Sequence, residues 1–100
     1  MLIIAGSFRL DPKTRDAAFA AAREMMAETL KEKGCHAYRF TQDVGDPNVM
    51  HLFERWESET DLHAHFTVPH MAKFQKALGE LKPQVIEIQR YDISKVGPVR

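Results

Sequence analysis

Apolar residues along this chain follow two periods. From Leu2 to Leu10 they fill both alternating faces, with Leu2, Ile4 and Phe8 on one and Ile3 and Ala5 on the other, the pattern of a central strand. From Lys13 to Lys33 the period lengthens. Phe19, Ala22, Met26 and Leu30 recur every three or four residues with no proline or glycine between, so the spacing predicts an amphipathic helix. Asp11-Pro12 opens it and Gly34 ends it in the left-handed conformation. Cys35 to Asp43 alternates again, with Tyr38 and Phe40 opposite Arg39 and Thr41. Gly45-Asp46-Pro47-Asn48 is a turn, and Val49 to Glu57 completes a hairpin. Ser58, three residues before Asp61, caps a short helix that Pro69 interrupts. His70 to Leu81 continues as a second helix with His70, Met71, Phe74, Ala77 and Leu78 inward, and Val85 to Ile93 is the last strand. Ser94 to Arg100 reads as a tail beyond a single domain whose core spans about residues 2–93.

The resulting β-α-β-β-α-β order gives an α+β, ferredoxin-like fold: a four-stranded antiparallel sheet with the helices on one face. Strands one and three are nonetheless apolar on both faces. Val49, His51 and Phe53 oppose Met50, Leu52 and Trp56 in the latter. An open apolar face of several hundred Å² is rare on a monomer. The expected remedy is a homodimer packed sheet on sheet.

Composition narrows the function classes. With 100 residues, 44% hydrophobic and 28% charged, the chain is expected to fold as one globular domain. Fourteen basic residues balance fourteen acidic ones, which argues against a nucleic-acid partner. No leader pattern and no long apolar run stand in the sequence, so no membrane role is expected and a cytoplasmic location is the default. The lone Cys35 reads as a small buried hydrophobe, and no glycine-rich loop supports a nucleotide.

Trp56 and Glu54 share one strand face and could form an aromatic wall with a polar handle. A buried glutamate needs a partner or a task; Arg9, Arg39, Arg55 and Arg90 are candidates between which the sequence does not choose. Of five histidines, three cluster at His63, His65 and His70. Helical residues two apart point roughly 200° from each other. His63 and His65 therefore cannot share an ion, no carboxylate stands at a helpful helical spacing, and no metal is expected. His65 falls inward beside Leu62 and Phe66, where an imidazole can take a substrate proton. Ser7 sits mid-strand with Ile3 and Ala5, without the surroundings of a nucleophile elbow.

The run Glu32-Lys33-Gly34-Cys35-His36-Ala37-Tyr38, then Asp46-Pro47, Glu54-Arg55-Trp56-Glu57-Ser58-Glu59, His65 and Pro69-His70, resembles the antibiotic biosynthesis monooxygenase family, which includes quinol monooxygenases. The resemblance spans about residues 2–93. It implies a dimeric α+β barrel with a pocket in each subunit. For many members it implies oxidation of an electron-rich phenol or quinol by O₂ without metal or flavin, hence no cofactor. Trp56 would be a pocket wall, Glu54 its polar neighbour, Tyr38 the aromatic of the second strand, and His65 and His70 the helix-region histidines. A reaction of this kind needs a base and a dry pocket, because the substrate gives up an electron far better as an anion. The base is expected to be His65, with His70 the alternative and otherwise a substrate-binding residue. Trp56 and Phe66 would stack on the substrate ring, with Ser7 and Phe74 completing its binding site.

Three other readings remain open. A related branch degrades haem, but the strand-one position holds Ser7 and Phe74 to Leu78 contains no histidine, leaving only His65 or His70 to ligate iron. An isomerase or detoxifying enzyme for a small, phosphorylated carbonyl signalling molecule would need a basic cluster, for which Arg9 and Arg39 are the candidates. A dimeric small-molecule binding module without catalysis is the third, since one fold serves several functions.

Overall fold

A computed structural model describes residues 1–100. Seven elements follow in the order β1 (Leu2–Arg9), α1 (Arg15–Thr29), β2 (Cys35–Gln42), β3 (Val49–Trp56), α2 (Glu59–His65), α3 (Pro69–Leu81) and β4 (Gln84–Asp92). The strands form one antiparallel sheet ordered β2-β3-β1-β4, the expected ferredoxin-like topology. Pro69 divides the second helical region as its position predicts, standing in the first turn of α3. Ser58 caps α2 by accepting the Asp61 N–H at 3.1 Å.

Helix α1 departs from its expected span of Lys13 to Lys33. The Asp11 side chain accepts the Lys13 N–H at 2.8 Å, so Asp11-Pro12 makes a turn ahead of the helix. Beyond Thr29 the chain runs through turns to Gly34, which has the expected left-handed conformation at φ 79°. A Cβ on Gly34 would also stand 2.1 Å from the Asp61 carboxylate, so the turn lies tight against α2. The buried stripe of α1 is Ala18, Ala22, Met25 and Thr29, with Phe19 and Met26 flanking it. Leu30, expected inside, is 52% exposed because the helix ends before it. The Met26 sulfur accepts the Phe40 N–H at 3.1 Å, tying α1 to the edge strand β2.

The core lies between the helices and one sheet face. Tyr38, Phe40, Met50, Leu52 and Trp56 rise from the sheet against Leu62, Met71 and Phe74. Cross-strand register puts Ile4 beside Glu54 and Phe8 beside Met50 on this face. Ser7 pairs with His51, and Ala5 with Phe53, on the opposite one. Helix α1 packs on β2 and α3, and α2 on β3. Strand β4 is left uncovered, and every one of its residues is exposed. At Gly6 the β4 backbone comes so close that a Cβ would stand 2.4 Å from the Glu87 carbonyl oxygen.

Candidate functional site

Because α1 and α3 cover only part of the sheet, a chamber of about 250 Å³ is left between α3 and the strands. Its floor is Phe8, Met50 and Leu52, its roof Met71, Phe74 and Leu78, and Ile88 of β4 closes one side. Tyr38 and Phe40 add aromatic walls, and Phe66 stands at the rim, 58% exposed. Glu54 is the one acidic group lining this apolar space. The chamber shares Glu54, Phe66 and Ile88 with an adjoining, more open groove beside β4.

Alternation along β3 aims Glu54 and Trp56 to the same side, and the Trp56 indole N–H donates to Glu54 Oε1 at 2.9 Å. None of the arginines expected to pair with Glu54 does so. Arg9 bonds Asp46, and Arg90 bonds Glu59 and Asp92, while Arg39 is exposed. Glu54 is 6% exposed. Burial therefore pushes its carboxyl up to about 7, against the Trp56 N–H, which favours the anion, and with help from the negative charge of Glu32. The same burial, with Glu54 adjacent, drives the Tyr38 phenol far above its ordinary range, so Tyr38 remains an O–H.

A second polar group lies deeper. Gly34 turns the chain after α1 so that Glu32 points at the helical hairpin, where its carboxylate meets two imidazoles. His65 Nδ1 is 2.9 Å and His70 Nε2 2.6 Å from Glu32 Oε2. The His65 ring is wedged against Trp56, with centroids 4.8 Å apart, and against Tyr38 at 5.4 Å. Burial holds the His65 pKa below its usual value, opposed by Glu32. Its Nε2 is buried with no hydrogen-bond partner.

The structure thus brings Glu54, Tyr38, Phe66 and Phe74 to the chamber surface. Trp56 is completely buried and supports Glu54 from behind instead of offering a wall. His65, 1% exposed, does not line the chamber, and His70 borders a separate small pocket between α1 and α3. Ser7 lies on the far face of the sheet, because the strand period sends it the same way as Ile3 and Ala5. Arg9 and Arg39 do not approach the chamber either, so the basic cluster required for a phosphorylated substrate is missing from it. Glu32 went unnoticed in the sequence, although it stands in the run that carried the family resemblance. Gln75, Phe8 and Ile88 were also missed as lining residues, since nothing local marks them.

A model of the family described as Antibiotic biosynthesis monooxygenase matches residues 1–77. The chain belongs to this family. It is 30% identical over 77 residues, 77% of this chain and 75% of the relative, to a Mycobacterium tuberculosis protein named "Putative monooxygenase Rv0793". The crystal structure of a family protein from Deinococcus radiodurans superposes with a TM-score of 0.91 at 20% identity, covering 100% of this chain and 99% of the other. A conserved Bacteroides thetaiotaomicron protein gives a TM-score of 0.82 at 28% identity over 92% of this chain and 97% of its own. As in the sequence-based expectation, no helix is long and apolar enough to cross a membrane.

Proposed function

We propose that this monooxygenase-family protein oxidises a small, electron-rich phenol or quinol with O₂, and that Glu54 takes the phenolic proton. The observation that carries the reading is a single carboxylate, raised to about 7, at the wall of an otherwise apolar chamber. A base with that proton affinity is half ionised near neutrality, where general-base catalysis works best. His65, the base expected from the sequence, is sealed behind Trp56 and Tyr38 and bound to Glu32, so it supports the wall instead. A chamber of about 250 Å³ lies just below the roughly 300–1,000 Å³ of sites for drug-sized ligands, which favours one or two rings.

The steps balance without an added reductant. Glu54 accepts the phenolic proton, and the phenolate passes one electron to O₂, giving an aryloxyl radical and superoxide. These join at a ring carbon as a peroxide. The carbon–hydrogen bond then breaks as the O–O bond cleaves, leaving a new carbonyl and releasing the second oxygen as water with the returned proton. The aromatic walls hold the ring, and exclusion of water keeps the anion reactive.

The same reading includes a homodimer. Tyr91 of β4 is about half exposed, and its cross-strand neighbour Ile3 lies with Ala5 and Phe53 on the uncovered sheet face. A second copy would cover this surface. Sedimentation showing only monomer at micromolar concentration would remove that part.

Oxygen uptake against a panel of one- and two-ring phenols and quinols, with chelator present throughout, tests the function. Uptake with a quinone product is expected, and Glu54→Gln should lower turnover by about 10²–10⁴-fold. No uptake with any member, or full activity in Glu54→Gln, would overturn it.

A further inference from the structure

We propose that Glu32, His65 and His70 form a binding site for one first-row divalent metal ion, with zinc the natural occupant. Their three donor atoms lie within 4.8 Å of one another. They come from separate segments: the turn after α1, the end of α2 and the first turn of α3. Two imidazoles and a carboxylate are the donor set that zinc and its neighbours in the first row accept, leaving a fourth position for water. His63 is not part of the set, since it faces outward to Glu59.

Three observations point to a cation. First, Glu32 has no lysine or arginine partner; its only ion-pair neighbours are the two imidazoles, and its side chain is 12% exposed. A divalent ion supplies the positive charge that this sheltered carboxylate lacks. Second, the spacing is close to that of a coordination shell. Donors around a tetrahedral ion with bonds of roughly 2.0–2.2 Å stand roughly 3.3–3.5 Å apart. The carboxylate contacts here are 2.9 and 2.6 Å, so the half-buried His70 and the Glu32 carboxylate need shift only by about an ångström. Third, His65 Nε2 has no partner. When Nδ1–H donates to Glu32, Nε2 is a bare lone pair buried against aromatic rings. With an ion on Nδ1 the ring proton moves to Nε2, and an N–H rests on Trp56 and Tyr38 better than a lone pair does. The ion reaches the site from the side of His70, which opens on the small α1–α3 pocket.

An ion held this way would pin the turn after α1 to both helices beneath the chamber wall, apart from the phenol-binding surface. The test is titration of the chelator-stripped, desalted full chain with Co²⁺ and Zn²⁺, read by calorimetry and by the visible absorption of bound Co²⁺. One ion per chain is expected, with tetrahedral Co²⁺ bands. The thermal midpoint should rise by about 10 °C or more at a hundredfold excess over Kd. His70→Ala and Glu32→Gln should bind at least tenfold more weakly, while His63→Ala binds as the parent does. No saturable one-to-one binding, unchanged affinity in His70→Ala and Glu32→Gln, or an equal loss in His63→Ala would overturn the proposal. Circular dichroism of each metal-free variant confirms that a loss of binding is not a loss of fold. Because the readouts are binding and melting, failure of the oxygen-uptake assay leaves this inference standing, and the reverse holds too.

Discussion

Two sheltered glutamates a few side chains apart show how neighbours set the task of one residue type. Glu54 projects from a strand into an apolar chamber and has one neutral donor, the Trp56 N–H. Glu32 projects from a turn and is clasped by two imidazoles. The first is under-solvated, and burial pushes its carboxyl up to about 7, which makes it a proton acceptor facing a space that a substrate can fill. The second is spent on holding three segments together and faces no such space. Between them stand Trp56 and His65, one serving each carboxylate and each packed on the other.

The largest expected effect that separates the two concerns stability against pH. The folded-state pKa of Glu54 is raised from 4.5 to about 7, so between those values the native state binds the proton that the unfolded state has released. Stability is then fully present below about pH 4.5, falls as pH rises through that window, and stays low above it. The change is about 3–4 kcal/mol, following from roughly 1.4 kcal/mol per unit over the shift from 4.5 to about 7. Urea denaturation across pH should show this fall in the parent and lack it in Glu54→Gln. An unchanged slope in the variant would assign the titration to another group.

Next in size is Glu32→Ala. It leaves two imidazole N–H groups, one fully buried, without their acceptor, and should destabilise the chain by about 1–3 kcal/mol in chelator at neutral pH. Denaturation midpoints check this, while the far-UV spectrum should keep its α+β shape. A loss below a few tenths of a kcal/mol would mean that the clasp contributes nothing, and the contrast with Glu54 would fail on that side.

Trp56→Phe gives the sharpest test, because it is read as a shift of one titration. It keeps a buried aromatic ring, though a smaller one, and removes the N–H that favours the Glu54 anion. A hydrogen bond to a charged group contributes about 1.5–3 kcal/mol, so the inflection of the pH–rate profile should move up from about 7 by about one to two units. A downward move, or none, would show that the indole does not tune Glu54.

Several of these features are legible in the sequence. Ser58 with Asp61 and Pro69 mark helix ends by chemistry confined to a few neighbours, and each was found where it was expected, whereas Gly34 has its left-handed conformation but α1 stops at Thr29 before reaching it. The alternation Met50, Leu52, Glu54, Trp56 also settles which side chains of β3 face the helices. Periodicity was less reliable on α1, where an alanine-rich helix offers two adjacent stripes. Small Ala18 packs more closely than its position suggests, while Leu30 falls beyond the last turn. For Ser7 the pattern itself was sound, since the grouping with Ile3 and Ala5 is observed. The inference that it lined a pocket ignored that this face is turned from the helices.

By itself, then, the sequence determined the order of strands and helices, the Ser58 cap and the break at Pro69, the two-faced character of the sheet and the pairing of Glu54 with Trp56 on one side. All of these depend on residues within a turn or two of each other, and backbone geometry converts such spacing directly into direction. The tertiary structure alone decided that an indole and not an arginine would serve Glu54, that His65 would be walled in, and that Glu32 would meet imidazoles 33 and 38 residues away. It also left the chamber open where α3 spans the strands. Packing of whole elements sets such distances, and the spacing of residues along a chain carries no record of which distant side chain will fill, or leave, a given space.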